Sequence, residues 1–200
     1  MSAPSTPVFT IGHSSRPLDD FLGLLAEADI DCVVDVRRLP GSRAFPQYNA
    51  DAFAVSLAAH DIDYWHLAAL CGRRIKCELQ DVPIEDFWSN ASFARYAAYA
   101  RSAEFAHGLQ ELEQRAREQR CVLMCSEAVW WRCHRRIIAD HLLAHGLPVC
   151  HIMGPGKLVP ASLTRGAQVR NGQVVYPAKA TIGGEGGMYS AHPVPRPAGS

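Results

Sequence analysis

Two cysteine-bearing triplets form the densest chemical constellation in the chain, Cys125-Ser126-Glu127 and Cys133-His134-Arg135. An apolar run delivers the first triplet, and a short stretch with Trp130 and Trp131 leads to the second. A thiol near a helix start, flanked by Arg132, Arg135 and Arg136, is pushed toward thiolate, so Cys133 is a candidate nucleophile. Glu127 beside the same arginines would stay ionised and serve as base or nucleophile, with His134 as its proton partner. Two thiols and an imidazole are also a transition-metal ligand set. Cys125, Cys133 and His134 are therefore candidate ligands for zinc or iron, with His13 or an acidic residue needed to complete four. Their spacing is not that of a zinc finger. A purely structural cluster is the bland alternative, and so polar a group is costly in a core.

Other polar clusters bear on the same chemistry. Gly12-His13-Ser14 precedes a helical pattern, where free main-chain amides can meet an anion. His13 is an acid/base or ligand candidate, or a hydrogen-bonded structural residue. Asp35-Val36-Arg37 offers an acid that would orient His134 or a substrate hydroxyl, or else pair with Arg37. Arg37, Ser42 and Arg43 follow. The ligand-binding candidates are Gly12, His13, Ser14, Arg37, Ser42, Arg43, Ser126 and Arg135. The catalytic candidates are Glu127, His134, Cys133 and Asp35.

Strands must carry these clusters. Compact apolar runs predict strands over 8–11, 32–36, 62–67, 121–124 and 148–152. Helical periods cover 17–28, 51–60, 92–118 (broken near Ser102) and 132–145. The alternation predicts an α/β fold. It is a mainly parallel, Rossmann-like sheet of about five strands with helices on both faces. Asn171-Gly172 between alternating runs adds a C-terminal β-hairpin. Residues 1–177 read as one domain and 178–200 as a disordered tail rich in glycine and proline. Each polar cluster follows a predicted strand, including Arg73-Arg74 and Gly154-Pro155-Gly156-Lys157. In a parallel sheet these loops share one edge, where open α/β domains bind ligands.

The chain has 200 residues, 48% of them hydrophobic, with 20 basic and 20 acidic side chains. Zero formal charge argues against a protein that coats long nucleic acid. Half of the basic residues nevertheless fall in or beside the loops above, which points to an anionic ligand, a phosphate in particular. No apolar run approaches the roughly 18 residues of a membrane helix. No export signal is evident, and the 7 irregularly spaced cysteines fit a reduced cytoplasmic setting better than a disulfide framework.

Taken together, Thr10-Ile11-Gly12-His13-Ser14, Val34-Asp35-Val36-Arg37, Pro40-Gly41-Ser42-Arg43, Cys125-Ser126-Glu127 and Trp131-Arg132-Cys133-His134-Arg135 resemble the bacterial family called domain of unknown function 488. Phe93-Ala94-Arg95-Tyr96 and His151-Ile152 resemble its pattern too, so the likeness spans roughly residues 8 to 177. Leu70-Cys71-Gly72-Arg73-Arg74 departs from it, with Cys71 where the family usually has glycine. The resemblance implies a compact α/β fold and a cytoplasmic bacterial protein, and it supplies no reaction.

The leading expectation is an enzyme acting on a phosphate-bearing small molecule, a nucleotide or nucleic-acid end, by hydrolysis or glycosyl transfer. Arg37, Arg43 and Arg135 would hold the phosphate. The alternatives are a metal- or thiol-centred protein built on Cys125, Cys133 and His134, and a non-catalytic module for an anion or nucleic acid. Oligomeric state is left open.

Overall fold

In the computed structural model, which describes residues 6–72 and 87–177, each β-rich run expected from the sequence becomes a strand. These are β1 (Val8–Gly12), β2 (Cys32–Asp35), β3 (Asp63–His66), β4 (Cys121–Cys125) and β5 (Val149–Gly154). All pair in parallel, in the order β3-β2-β4-β1-β5. A sixth strand, β6 (Lys157–Pro160), pairs antiparallel on β5 at the edge. The glycine- and proline-rich turn before it reads as a plain loop, which hides this strand in the sequence. Asn171 and Gly172 both take positive φ and join β7 (Gln168–Arg170) to β8 (Gln173–Val175). A two-residue turn of that kind matches the natural twist of a hairpin.

The helices are α1 (Leu18–Glu27), α2 (Ala50–Ala58), α3 (Ala91–Tyr99), α4 (Ala103–Glu118) and α5 (Arg135–Ala144). The break expected near Ser102 is an N-cap, since its hydroxyl accepts the Phe105 N–H and starts α4 afresh; such caps contribute about 1 kcal/mol.

The sheet divides the core in two. Phe9, Ile11, Val33 and Val122 pack with Phe21, Leu25, Phe53 and Leu57 of α1 and α2. Val34, Leu123 and Val149 pack on the other side with Tyr96, Leu109, Ile137 and Ile138 of α3, α4 and α5. A fully buried leucine or isoleucine here stabilises by about 1.5–3 kcal/mol. Residues 161–177 cross the outside of α5. Asp140 accepts the Thr164 N–H and the Tyr176 hydroxyl, each at 2.8 Å, and Arg136 donates to Thr164 Oγ1 at 2.7 Å.

Parallel pairing sets the carboxyl ends of four strands side by side, and the main-chain ladder runs past them. The His13 N–H donates to Cys125 O and the Ser14 N–H to Ser126 O, both at 3.0 Å. The Val36 N–H donates to Met124 O at 3.0 Å, and the Gly72 N–H to Val36 O at 3.3 Å. Glycine is required at position 12, because a Cβ there would sit 1.9 Å from the Glu127 carbonyl oxygen. Arg73, Arg74, Lys76 and the tail over 178–200 lie outside the described residues. Among the described residues no helix is long and apolar enough to cross a membrane.

Candidate active site

The strand ends enclose a cavity of about 660 Å³, within the usual range for a small-molecule site. One wall comes from the loops after β1 and β2, with His13, Ser14, Arg37, Arg38, Ser42 and Phe45. Facing it are Cys125, Ser126, Glu127, Arg132, Cys133 and His134, with Gly72, Phe93 and Tyr96 beside them. The two walls stem from opposite faces of the sheet.

The first wall is rigid. Asp35 is wholly buried and accepts from the Arg37 main-chain N–H at 2.9 Å, from Arg37 Nη2 at 2.6 Å and from the Tyr64 hydroxyl at 2.8 Å. Burial opposes the charge on Arg37, but Asp35 outweighs it and holds the guanidinium above its ordinary pKa. Arg37 also donates to the Tyr48 carbonyl at 2.8 Å. Its Nη1 lies 3.4 Å from His13 Nε2. His13 stacks on Tyr48 at 4.2 Å, and its Nδ1 lies 2.9 Å from the Ser14 carbonyl. That contact puts the proton on Nδ1 and leaves Nε2 as an acceptor. Burial lowers the His13 pKa to about 4, so the ring is neutral at pH 7. Ser14 adopts φ 51°, a left-handed conformation that costs a serine of order 1–3 kcal/mol. The Ser42 hydroxyl caps its own loop, accepting the Ala44 and Phe45 N–H groups at 3.2 and 3.3 Å.

The second wall holds the sulfur atoms. Cys133 lies just ahead of α5, with Sγ 3.6 Å from His134 Nδ1 and accepting from Arg135 Nε at 3.3 Å. Burial opposes ionisation of Cys133. The neighbouring Cys125 thiol and the Arg135 guanidinium outweigh it and bring its pKa down to about 6. Cys125 is pushed up to about 12, chiefly by Cys133 and by burial. One thiolate beside one thiol results, and the thiolate is the form that acts as nucleophile or metal ligand. His134 packs against the Tyr96 ring at 4.9 Å and against Gly72. Its Nε2 is buried without a hydrogen-bond partner.

A Cβ on Gly72 would meet His134 Nδ1 at 2.6 Å. Gly72→Ala is therefore expected to cost about 1–3 kcal/mol in urea denaturation. Combined with His134→Ala, it should cost clearly less than the sum, because the shorter side chain removes the clash. Additive losses would show that the two residues do not touch.

The candidate residues divide by position. His13, Ser14, Arg37, Ser42, Ser126, Glu127, Cys133 and His134 line the cavity, together with Cys125. Gly12, Asp35, Arg43 and Arg135 do not. Gly12 permits the close approach of two chains. Asp35 is committed to Arg37 and Tyr64 rather than to His134. Arg43 is exposed. Arg135 is 1% exposed and lies beneath the second wall, donating to the Glu127 carbonyl and to Cys133 Sγ. The turn from Gly154 to Lys157 folds away from the cavity, and its Gly156 N–H donates to Glu27 at 2.6 Å. Trp130 stacks on His151 at 4.4 Å, and neither Trp130 nor Trp131 lines the cavity. Phe45, Asn90 and Ser92 line it without having drawn notice in the sequence, since isolated apolar and small polar residues announce nothing about their surroundings.

The family model described as Domain of unknown function DUF488 matches residues 17–142. The chain belongs to this family. The matched span of the DUF488 domain holds Arg37, Ser42, Glu127, Cys133 and His134, and thus most of both walls. Gly12-His13-Ser14 and the chain from β5 onward lie beyond it. No curated protein and no solved structure matches the chain. Cys71 is buried with Sγ 3.1 Å from the Arg37 carbonyl oxygen, so the cysteine packs against the loop that carries Arg37.

Proposed function

We propose that the protein is an enzyme acting on a phosphate-bearing small molecule, a nucleotide or a nucleic-acid end, by hydrolysis or glycosyl transfer. The observation that carries this reading is the division of labour across one cavity. Arg37, Arg38 and Arg132 line it with Ser14 and Ser42, a set suited to phosphate oxygens. The half-buried Phe45 and Phe93 add faces on which a base can rest. Glu127, on the facing wall, supplies the group that moves protons or attacks. Arg37 is held in place by Asp35 before any ligand arrives, so little ordering is needed on binding. The free state of the six described cysteines supports a reducing, cytoplasmic setting.

Glu127 is the proposed base. Glu127→Gln should lower turnover about a hundredfold or more and leave ligand affinity within about tenfold, a change of 1.4 kcal/mol. Arg132→Ala should instead weaken binding of a nucleoside monophosphate and of inorganic phosphate alike, as titration calorimetry at fixed salt would show. Unchanged turnover in Glu127→Gln would sink its role as base. If that variant is silent while binding falls steeply with salt, the site is a non-catalytic anion module.

A further inference from the structure

The head of α5 holds an arrangement that phosphate binding leaves unused. Cys125 Sγ, Cys133 Sγ and one His134 ring nitrogen lie within 4.8 Å of one another. Among the described residues this is the one group of three or more histidine, cysteine or acidic side chains so placed. The Cys133 Sγ to His134 Nδ1 separation is 3.6 Å. A tetrahedral zinc ion with Zn–S of about 2.3 Å and Zn–N of about 2.0–2.1 Å requires an S···N edge of about 3.6 Å. The polar contacts of the imidazole are with the sulfur atoms of the cluster itself. Its Nε2 has no hydrogen-bond partner, and its Nδ1 faces the Cys133 sulfur. Packing by Gly72 and Tyr96 holds the ring instead.

We infer that Cys125, Cys133 and His134 bind a single divalent zinc or iron ion. Two cysteine sulfurs, with the Cys125 proton released to solvent on binding, and an imidazole are soft and borderline donors suited to either metal. The Arg135 Nε–H, 3.3 Å from Cys133 Sγ, acts as the outer hydrogen bond that steadies a thiolate ligand. All three ligands line the cavity, so the fourth position opens toward it and is taken by water or substrate. Three protein ligands with an open position are the pattern of a catalytic centre, and four closed ligands that of a structural one. The role of the fourth position rests on reading the cavity as an active site; binding of the ion does not.

The test is metal content per chain, by elemental mass spectrometry, on untagged protein purified under reducing conditions without chelator. Near-stoichiometric zinc or iron is expected. Cys125→Ser and His134→Ala should each lose most of it, because each removes one of only three protein ligands, whereas Cys150→Ser should keep it. Circular dichroism confirms that each variant is folded. Cobalt(II) loading of the wild type should give a thiolate-to-metal charge-transfer band that Cys133→Ser lacks. Folded wild type that is metal-free as purified, and again after dialysis against zinc under reducing conditions, overturns the inference. So does metal retained by both variants. Phosphate and nucleotide binding on the same samples separates the two ideas. Absent metal with intact binding rejects the ion alone, and bound metal without such binding rejects the phosphate reading alone.

Discussion

Acidification is expected to destabilise this protein progressively below pH 6.5 and to unfold it by about pH 4, with histidine protonation leading that of the carboxylates. His13, His141 and His151 are all buried, and burial lowers each pKa from 6.5 to about 4. A histidine depressed in the folded state binds fewer protons there than in the unfolded chain. Its contribution is complete above pH 6.5 and is lost as pH falls toward the folded value. A shift from 6.5 to about 4 corresponds to about 3 kcal/mol for each ring at 1.36 kcal/mol per pH unit. Three such losses rival the about 5–15 kcal/mol of a whole domain. Asp140 acts in the opposite sense, since burial raises its pKa and favours the folded state at low pH. One carboxyl does not offset three rings. Circular dichroism against pH should give a cooperative transition in this window. His141→Leu should move its midpoint to lower pH, because the His141 Nε2 is buried without a partner and packs beside Phe105. A midpoint near pH 3, unchanged by that substitution, would show that the three rings do not control the transition.

Replacing Asp35 by Asn is the second large effect. The carboxylate is wholly buried, and Arg37, whose side chain is 6% exposed, depends on it. Removing one partner of a buried ion pair costs about 3–5 kcal/mol, because the other charge is left without compensation. The damage should reach the cavity, since Arg37 also meets the Tyr48 carbonyl and His13. Arg37→Met added to Asp35→Asn should recover much of the stability, as apolar replacement of a buried pair is often close to neutral. Anion binding would stay impaired in the double variant. Urea denaturation gives the stabilities; a loss below about 1 kcal/mol in Asp35→Asn would mean that water reaches the pair, as at exposed ion pairs.

The five parallel strands were legible because short runs rich in β-branched, aromatic or other apolar residues alternate with helical periods, most plainly in β4, where every residue is buried, and least in β3, which has charged or polar ends and no fully buried residue. β6 was not legible. It follows Gly154-Pro155-Gly156, contains Pro160 and exposes Leu158, so neither composition nor burial pattern marks it. At the site, residue type showed which loops matter and left open which way each side chain turns. Asp35 and Arg37 looked equally chemical, yet one lies beneath the wall and the other on it. Arg135 has the same ambiguity relative to Arg132. Direction depends on strand phase and on the crossing of α5, which long-range packing settles. Phe45 and Tyr48 shape the arginine wall and its histidine, and they look like ordinary core residues until the loop between them is folded.

The position of β1 has a consequence for the order in which the molecule assembles. β1 precedes β2 to β6 in the chain, and it lies between β4 and β5 in the sheet. Both of its edges therefore stay unpaired until residues 121–125 and then 149–154 exist. Contacts so distant in sequence are made late and slowly, and an open strand edge invites pairing with other chains in the meantime. β4 covers the first of these edges by joining β1 to the β2–β3 pair, and it carries Cys125 at its tip. On a growing chain, the step that closes the centre of the sheet is thus also the step that brings the two walls of the cavity together.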